Sequence, residues 1–186
     1  QTLKAFMDHD AIDRVLVVIH PDDLNLYADA IREFSENAKL ITAVDGGSTR
    51  QASVQNGLEH LKQYNPNLVL IHDAARPYVS ADLISNCVKA IADDETLDGV
   101  IPGLASSDTV KRVADAKISE TLSRDTIYFA QTPQCFHFEK IREAHNSASL
   151  QTNELTAYTD DASIGEAFGL NIAVMAGETQ NIKLTQ

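Results

Sequence analysis

Apolar residues fall in short, bounded runs along this chain, and the spacing alternates between two kinds of element. Residues 2–9 (TLKAFMDH) place Leu3, Phe6 and Met7 on one helical face. Residues 14–19 (RVLVVI) are apolar and β-branched, as a buried strand requires, and stop at His20-Pro21. Asp22 then suits a helix cap, with Leu24, Tyr27, Ile31 and Phe34 recurring at helical spacing. A second strand over 39–45 (KLITAVD) runs into Gly46-Gly47. Residues 48–61 predict a helix with Val54, Leu58 and Leu61 inward. The run 68–71 (LVLI) follows the breaker pair Asn65-Pro66 and predicts a buried parallel strand. Ser80 caps a helix whose face is Leu83, Ile84, Cys87, Val88 and Ile91, and 98–104 (DGVIPGL) is the next strand. Strands alternating with helices predict an α/β fold, with a mostly parallel sheet flanked by helices on both faces.

Beyond residue 105 the alternation breaks. Residues 108–113, 117–122 and 126–131 read as short strands with no helix between them, which predicts antiparallel hairpins forming a projecting β-arm over about 106–131. Such an arm cannot bury both faces alone, so it is expected to pack on another subunit. Thr132-Pro133-Gln134 ends the arm, 137–148 predicts a helix, and 146–153 reads as a polar loop. Thr159-Asp160-Asp161 caps a short helix with Ala162, Ile164 and Phe168 inward, closed by Gly169. A strand over 171–175 precedes a turn and a last short strand carrying Lys183.

Composition narrows the function. The 186 residues suit one domain with a sizeable core, and no repeat or linker divides them. A formal charge of −12 disfavours nucleic-acid or anionic-membrane partners, yet a local cluster of Arg and Lys can still hold a small polyanion. No apolar run approaches membrane-span length. Cys87 and Cys135 form neither a disulfide framework nor a metal spacing, which favours a reducing, cytoplasmic setting. The chain opens inside a helix without an initiator Met, so a preceding segment is expected.

The richest chemistry follows the strand at 68–71. His72-Asp73-Ala74-Ala75-Arg76-Pro77 puts a carboxylate, two small residues and a guanidinium at a strand's carboxyl end, where open α/β sheets bind ligands. Arg76 suits phosphate, which its planar fork can grip. The plain alternative is a strand-to-loop turn with a surface ion pair. Gly46-Gly47, Ser48, Thr49, Arg50 and Ser53 at a helix start suggest an anion or nucleotide site, with simple capping by Ser48 as the alternative. There is no G-x-S-x-G elbow, no His pair at metal spacing and no G-x-G-x-x-G.

Taken together, six stretches resemble the 2-C-methyl-D-erythritol 4-phosphate cytidylyltransferase family: GGSTRQASVQNGL (46–58), VLIHDAARP (69–77), DTVKR (108–112), SRDTIYFAQTPQ (123–134), YTDDAS (158–163) and NIKLT (181–185). The resemblance implies a Rossmann-like nucleotidyltransferase fold, a homodimer through the arm and Mg²⁺ as cofactor. The implied partners are CTP and methylerythritol phosphate, whose own phosphate attacks the α-phosphorus and expels pyrophosphate. Carried over by position, Gly47, Ser48, Arg50 and Ser53 would read cytidine. Asp73 and Ala74 would floor the site, and Asp73 and Arg76 would meet methylerythritol phosphate. Thr109, Arg124 and Thr132 would reach the substrate phosphate from the arm across the dimer, and Lys183 would act close to the reacting phosphates. No protein metal ligand is assigned.

The family also opens with a strand and a Gly-rich loop carrying an Arg and a Lys, a unit of roughly thirty residues that has no counterpart before Thr2. The chain as written is therefore expected to be inactive. Its end just after Lys183 leaves room for the fused cyclodiphosphate synthase of some family members. Two rival readings remain: a cytidylyltransferase for another polyol phosphate such as ribitol phosphate, and a non-catalytic doubly wound binding domain.

Overall fold

The computed structural model describes residues 1–150 and 158–185. In chain order they form α1 (Thr2–Met7), β1 (Val18–Ile19), α2 (Leu24–Ala30), β2 (Val44–Asp45), α3 (Arg50–Leu61), β3 (Leu68–Ile71) and α4 (Ala81–Asp93). Then come β4 (Gly99–Ala105), β5 (Val110–Ala114), β6 (Lys117–Leu122), β7 (Tyr128–Ala130), β8 (Gln134–His137), α5 (Phe138–Ser149), α6 (Asp161–Ala167) and β9 (Ile172–Ala176).

The alternation of side chains along the strands sets the layers. In β8, Cys135 faces a cluster with Cys87 and Ile91 of α4 and Val100 of β4. Its neighbour Phe136 faces the opposite cluster, with Leu58 of α3, Ile141 and Ala144 of α5 and Ile164 of α6. Val100 and Ile101 of β4 divide between the same two clusters. Period-two alternation with both faces apolar is what a sheet covered by helices on each side requires. Phe6 of α1 joins Leu83 and Ile84 of α4 on the first side.

The expected α/β layering holds, and β3, β4 and β9 share one direction. The order is β3-β8-β4-β7, with β9 on the other side of β4. β8 runs antiparallel between β3 and β4, so β3 pairs antiparallel and not with a parallel neighbour. The polar start of β8 hides it in the sequence: Gln134 is buried because its side chain has hydrogen-bond partners, not because it is apolar. Pro102 occupies β4 between the last pair with β8 (Val100–Cys135) and the first with β7 (Gly103–Ala130), where a missing N–H breaks no antiparallel ladder.

Several boundaries differ from the sequence reading. The expected strands over 14–19 and 39–45 shrink to β1 and β2, which pair in parallel and are extended only by a Val15–Leu40 bridge. Asp22 is not a cap. His20 Nδ1 accepts the Asp22 N–H, Pro21 opens a short 3₁₀ turn, and α2 follows. Thr49, not Ser48, caps α3, its hydroxyl accepting the Ala52 N–H at 3.1 Å. α5 runs on to Ser149, so the loop expected over 146–153 starts later, and 151–153 lie outside the described residues. Residues 177–185 form no strand, because Asn181 is fixed largely by side-chain hydrogen bonds and Leu184 by one bond to Ala75, and not by a ladder. Ser80 caps α4 and Asp160 caps α6 with a capping box, as the sequence indicates. Gly169, at φ +80°, ends that last helix in the left-handed region.

The arm is a two-stranded antiparallel hairpin, β5 with β6, separate from the main sheet. Every residue from 111 to 121 is exposed. The third expected strand, β7, returns to the main sheet beside β4.

Candidate active site

Asp73 stands just beyond the carboxyl end of β3, and three cations converge on it. Lys183 Nζ lies 2.8 Å from Oδ2, Arg50 Nε 3.6 Å from Oδ1 and Arg76 Nε 3.9 Å from Oδ2. Burial would raise the Asp73 carboxyl, but Lys183, Arg50 and Arg76 outweigh it and hold it below the usual carboxylate range. Asp73 alone does not neutralise all three cations, and Arg50 is shared with the buried Asp161. Arg76 Nε is buried and has no hydrogen-bond partner among the described residues.

A closed set of hydrogen bonds fixes the loop that carries Asp73. The Asp73 N–H donates to Thr132 Oγ1 at 3.1 Å, and Thr132 Oγ1 lies 2.9 Å from His72 Nδ1. His72 Nε2 lies 3.1 Å from the Arg76 carbonyl, which can only accept. The imidazole therefore carries its proton on Nε2, and Nδ1 accepts from the Thr132 hydroxyl. Burial pushes the His72 pKa down, which suits that neutral form. The Arg76 N–H closes the turn on the Asp73 carbonyl at 2.9 Å. Thr132 is 4% exposed and is bonded to the Asp73 loop of its own chain. This corrects its expected place on the arm: it follows β7, where the chain has already returned to the main sheet.

Lys183 reaches Asp73 because the segment before it is anchored. Asn181 is fully buried and donates from Nδ2 to the Thr132 carbonyl, while Gln131 Nε2 donates to the Glu178 and Asn181 carbonyls. Arg76 Nη1 donates to the Asn181 carbonyl at 2.8 Å. The Leu184 N–H then bonds to the Ala75 carbonyl, laying Lys183 across the loop.

The Gly46-Gly47 turn brings α3 to the same corner. The Gly47 N–H donates to Ser53 Oγ, which donates in turn to the Thr49 carbonyl, so the Ser53 hydroxyl closes the turn. A Cβ on Gly47 would sit 2.4 Å from Ala52 Cβ, a contact only glycine avoids. Gly47 and Ser48 are exposed at the helix start. Arg50, the first residue of α3, extends to Asp161 Oδ2 at 2.7 Å as well as toward Asp73. Burial opposes its charge, but Asp161 and Asp73 outweigh it and raise its pKa.

Of the residues singled out from the sequence, Arg50, Asp73, Arg76, Thr132 and Lys183 thus form one contact network, with Gly47, Ser48 and Ser53 at its rim. Ala74 is exposed in the loop, its carbonyl taking the Thr2 hydroxyl. Thr109 and Arg124 do not join the network. Thr109 is exposed just before β5, and Arg124 is exposed, donating to the Ser107 carbonyl. His72, Gln131, Gln134, His145, Asp161 and Asn181 escaped notice as site residues. The motifs TPQ, TDDAS and NIK contain three of them, which was the available signal.

Among the described residues no three His, Cys, Asp or Glu side chains group as a metal site. Asp73 is the carboxylate on which the cations converge, and both its oxygens face them. These residues do not fit a protein-held Mg²⁺. Two open surface depressions, one lined by Lys4, Pro77 and Gln180 and one by Asp8, His9 and Ser85, include none of the network's residues.

The chain is similar over its whole length to proteins of one kind. A "bifunctional enzyme IspD/IspF" of Bartonella tribocorum is 43% identical over 184 residues, 99% of this chain and 44% of the relative. The chain therefore spans less than half the length of that curated relative. Among solved structures, the 4-diphosphocytidyl-2C-methyl-D-erythritol synthase of Anaerococcus prevotii superposes with a TM-score of 0.87 at 31% identity, covering 100% of this chain and 78% of that one. The 2-C-methyl-D-erythritol 4-phosphate cytidylyltransferase of Francisella tularensis superposes with a TM-score of 0.81 at 32% identity, over 100% of this chain and 81% of that one. The family model for IspD, 2-C-methyl-D-erythritol 4-phosphate cytidylyltransferase, matches residues 1–186, and the chain belongs to that family.

Proposed function

We propose that the protein transfers CMP from CTP to 2-C-methyl-D-erythritol 4-phosphate, as a single nucleotidyltransferase domain whose reaction centre is the network around Asp73. The observation that carries this reading is the convergence of Lys183, Arg76 and Arg50 on one carboxylate at a strand's carboxyl end. An ionised phosphate monoester is already a nucleophile at neutral pH, so the reaction needs no general base. One of its oxygens bonds to the α-phosphorus as the bond from that phosphorus to the β-bridging oxygen breaks. Pyrophosphate leaves with the electron pair, and no proton has to move.

What the protein must supply is alignment and positive charge. Lys183 and Arg76 provide donors to the phosphates, and Asp73 holds them apart at fixed spacing. Gly47 and Ser48 offer backbone and hydroxyl to the nucleoside. A divalent cation, Mg²⁺ by family resemblance, would arrive on the oxygens of the triphosphate and not on a protein cage. It would add charge neutralisation there.

Dimerisation through the arm belongs to the same proposal. Val113 (58% exposed), Ile118 (66%) and Phe129 (59%) present apolar surface on or beside a hairpin that has no partner among the described residues. A second subunit covering them would carry Thr109 and Arg124 toward a neighbouring site. Sedimentation at micromolar concentration should give a dimer, and Ile118→Asp with Phe129→Asp should give a folded monomer. A monomeric parent protein contradicts the arm's assigned role.

Pyrophosphate release tests the reaction. With full-length protein, release should require both CTP and methylerythritol phosphate. Release with ribitol phosphate alone would transfer the reading to another polyol phosphate, and no release with either would leave a binding domain.

A further inference from the structure

The second aspartate of TDDAS and the glutamine of TPQ have no part in the reaction just described, yet they are among the most buried polar residues. Asp161 is fully buried, as is His145, and Gln134 is 1% exposed. Resting on the reading above, we infer that Asp161 is a positioning residue for the nucleotide subsite. It acts through Arg50 and is held in place by His145 and Gln134.

The geometry supports a directed chain of contacts. Asp161 uses one carboxylate oxygen for each neighbour: Oδ2 accepts from Arg50 Nη2 at 2.7 Å, and Oδ1 lies 3.1 Å from His145 Nε2. A carboxylate only accepts, so His145 donates from Nε2, and its buried Nδ1 has no partner among the described residues. Gln134 fixes the backbone beneath. Its Oε1 accepts the N–H groups of Asp161 and Ala162, and its Nε2 donates to Asp160 Oδ2. Asp161 thus cannot shift without breaking contacts to α5 and β8 at once.

Arg50 is the exposed end of this chain of contacts. Its side chain is 37% exposed and leaves α3 beside the Gly46-Gly47 turn. Alone, a half-exposed arginine samples many rotamers. Held at Nη2 by Asp161 and directed by Nε toward Asp73, the planar guanidinium has one orientation, with Nη1 unbonded among the described residues. A plain tether between α3 and α6 would use the same contact, and a change confined to KM for CTP separates the two roles.

The experiment uses full-length protein and measures kcat and KM for each substrate by pyrophosphate release, with CTP affinity by calorimetry. Asp161→Asn should raise KM for CTP about tenfold or more, with KM for methylerythritol phosphate changed less than about twofold. In an Arg50→Ala background the same substitution should add less than about a twofold change, because its target is gone. An unchanged KM for CTP, or an equal effect in both backgrounds, overturns the inference while leaving the proposed reaction intact. Should Asp161→Asn fold poorly, His145→Phe and His145→Gln decide. The first should raise KM for CTP about threefold, and the second, which keeps a donor near the Nε2 position, should restore it. Parent-like values for both refute the chain of contacts. If the unsubstituted protein neither binds nor turns over CTP, the proposed function itself falls and the inference with it.

Discussion

Replacing Gln134 by alanine removes a single side chain that serves three groups. Its Oε1 accepts the Asp161 and Ala162 N–H groups at 3.1 and 3.0 Å, and its Nε2 reaches Asp160 Oδ2 at 2.7 Å. The two N–H groups lie in the first turn of α6, where no intrahelical acceptor exists. Each buried donor left unsatisfied costs about 1–3 kcal/mol, and a water entering the polar space would recover part of it. The net loss is therefore about 3–5 kcal/mol. For a domain of this size that lowers Tm by roughly 6–20 °C.

Gln134→Glu separates the three contacts. The introduced carboxylate still accepts both N–H groups but now faces the Asp160 carboxylate. Repulsion raises the folded-state pKa of the carboxylate pair above its unfolded value, so the penalty is absent below about pH 4 and develops as pH rises through the folded value. Guanidinium unfolding followed by circular dichroism at pH 4 and pH 7 measures both. Gln134→Ala should be destabilised at each pH, and Gln134→Glu chiefly at pH 7. A loss under about 1 kcal/mol for Gln134→Ala, or a pH-independent loss for Gln134→Glu, would refute the reasoning.

Two further substitutions probe the loop at Asp73. Thr132→Val leaves the Asp73 N–H and His72 Nδ1 unpartnered in a site 4% exposed, so stability should fall by about 1–3 kcal/mol, with recovery in Thr132→Ser; equal stability of all three would exclude the hydroxyl from fixing the loop. Asp73 has a folded pKa below its unfolded one, so its stabilising effect is present above about pH 4 and is lost as pH falls through the folded value. Asp73→Asn should cost about 1–2 kcal/mol at pH 7, after discounting for the partly exposed cations around it. That cost should shrink toward zero as pH falls below the folded value, and a difference constant across pH would contradict the ion cluster.

Legibility followed the kind of interaction. The strand at 68–71, the helices over 50–61 and 81–93 and the arm hairpin were readable because apolar spacing alone determines them. Asp73 and Arg76 stood out as chemistry at a strand end, and Arg50 as a cation at a helix start. Antiparallel β8 was missed because Gln134 breaks its apolar pattern. The short β1 and β2 were overextended, since composition does not reveal how much of a strand finds a partner. The sequence does not place Thr132 off the arm, because nothing local distinguishes the residue where the chain re-enters the sheet. The motifs TPQ and TDDAS mark Gln134 and Asp161, but their contact with each other and with His145 is not legible, because it exists only after α3, α5, α6 and β8 have packed together.

Lys183 offers the most direct test of the central claim, that phosphate chemistry takes place over Asp73. Pyrophosphate release by full-length protein at saturating CTP and methylerythritol phosphate should be compared between the parent and Lys183→Met, which keeps the stem and removes the charge 2.8 Å from Asp73. The account predicts a fall in kcat of about a hundredfold or more, with the unfolding transition nearly unchanged because the side chain is 43% exposed. Undiminished turnover by Lys183→Met would place the reaction elsewhere and contradict it.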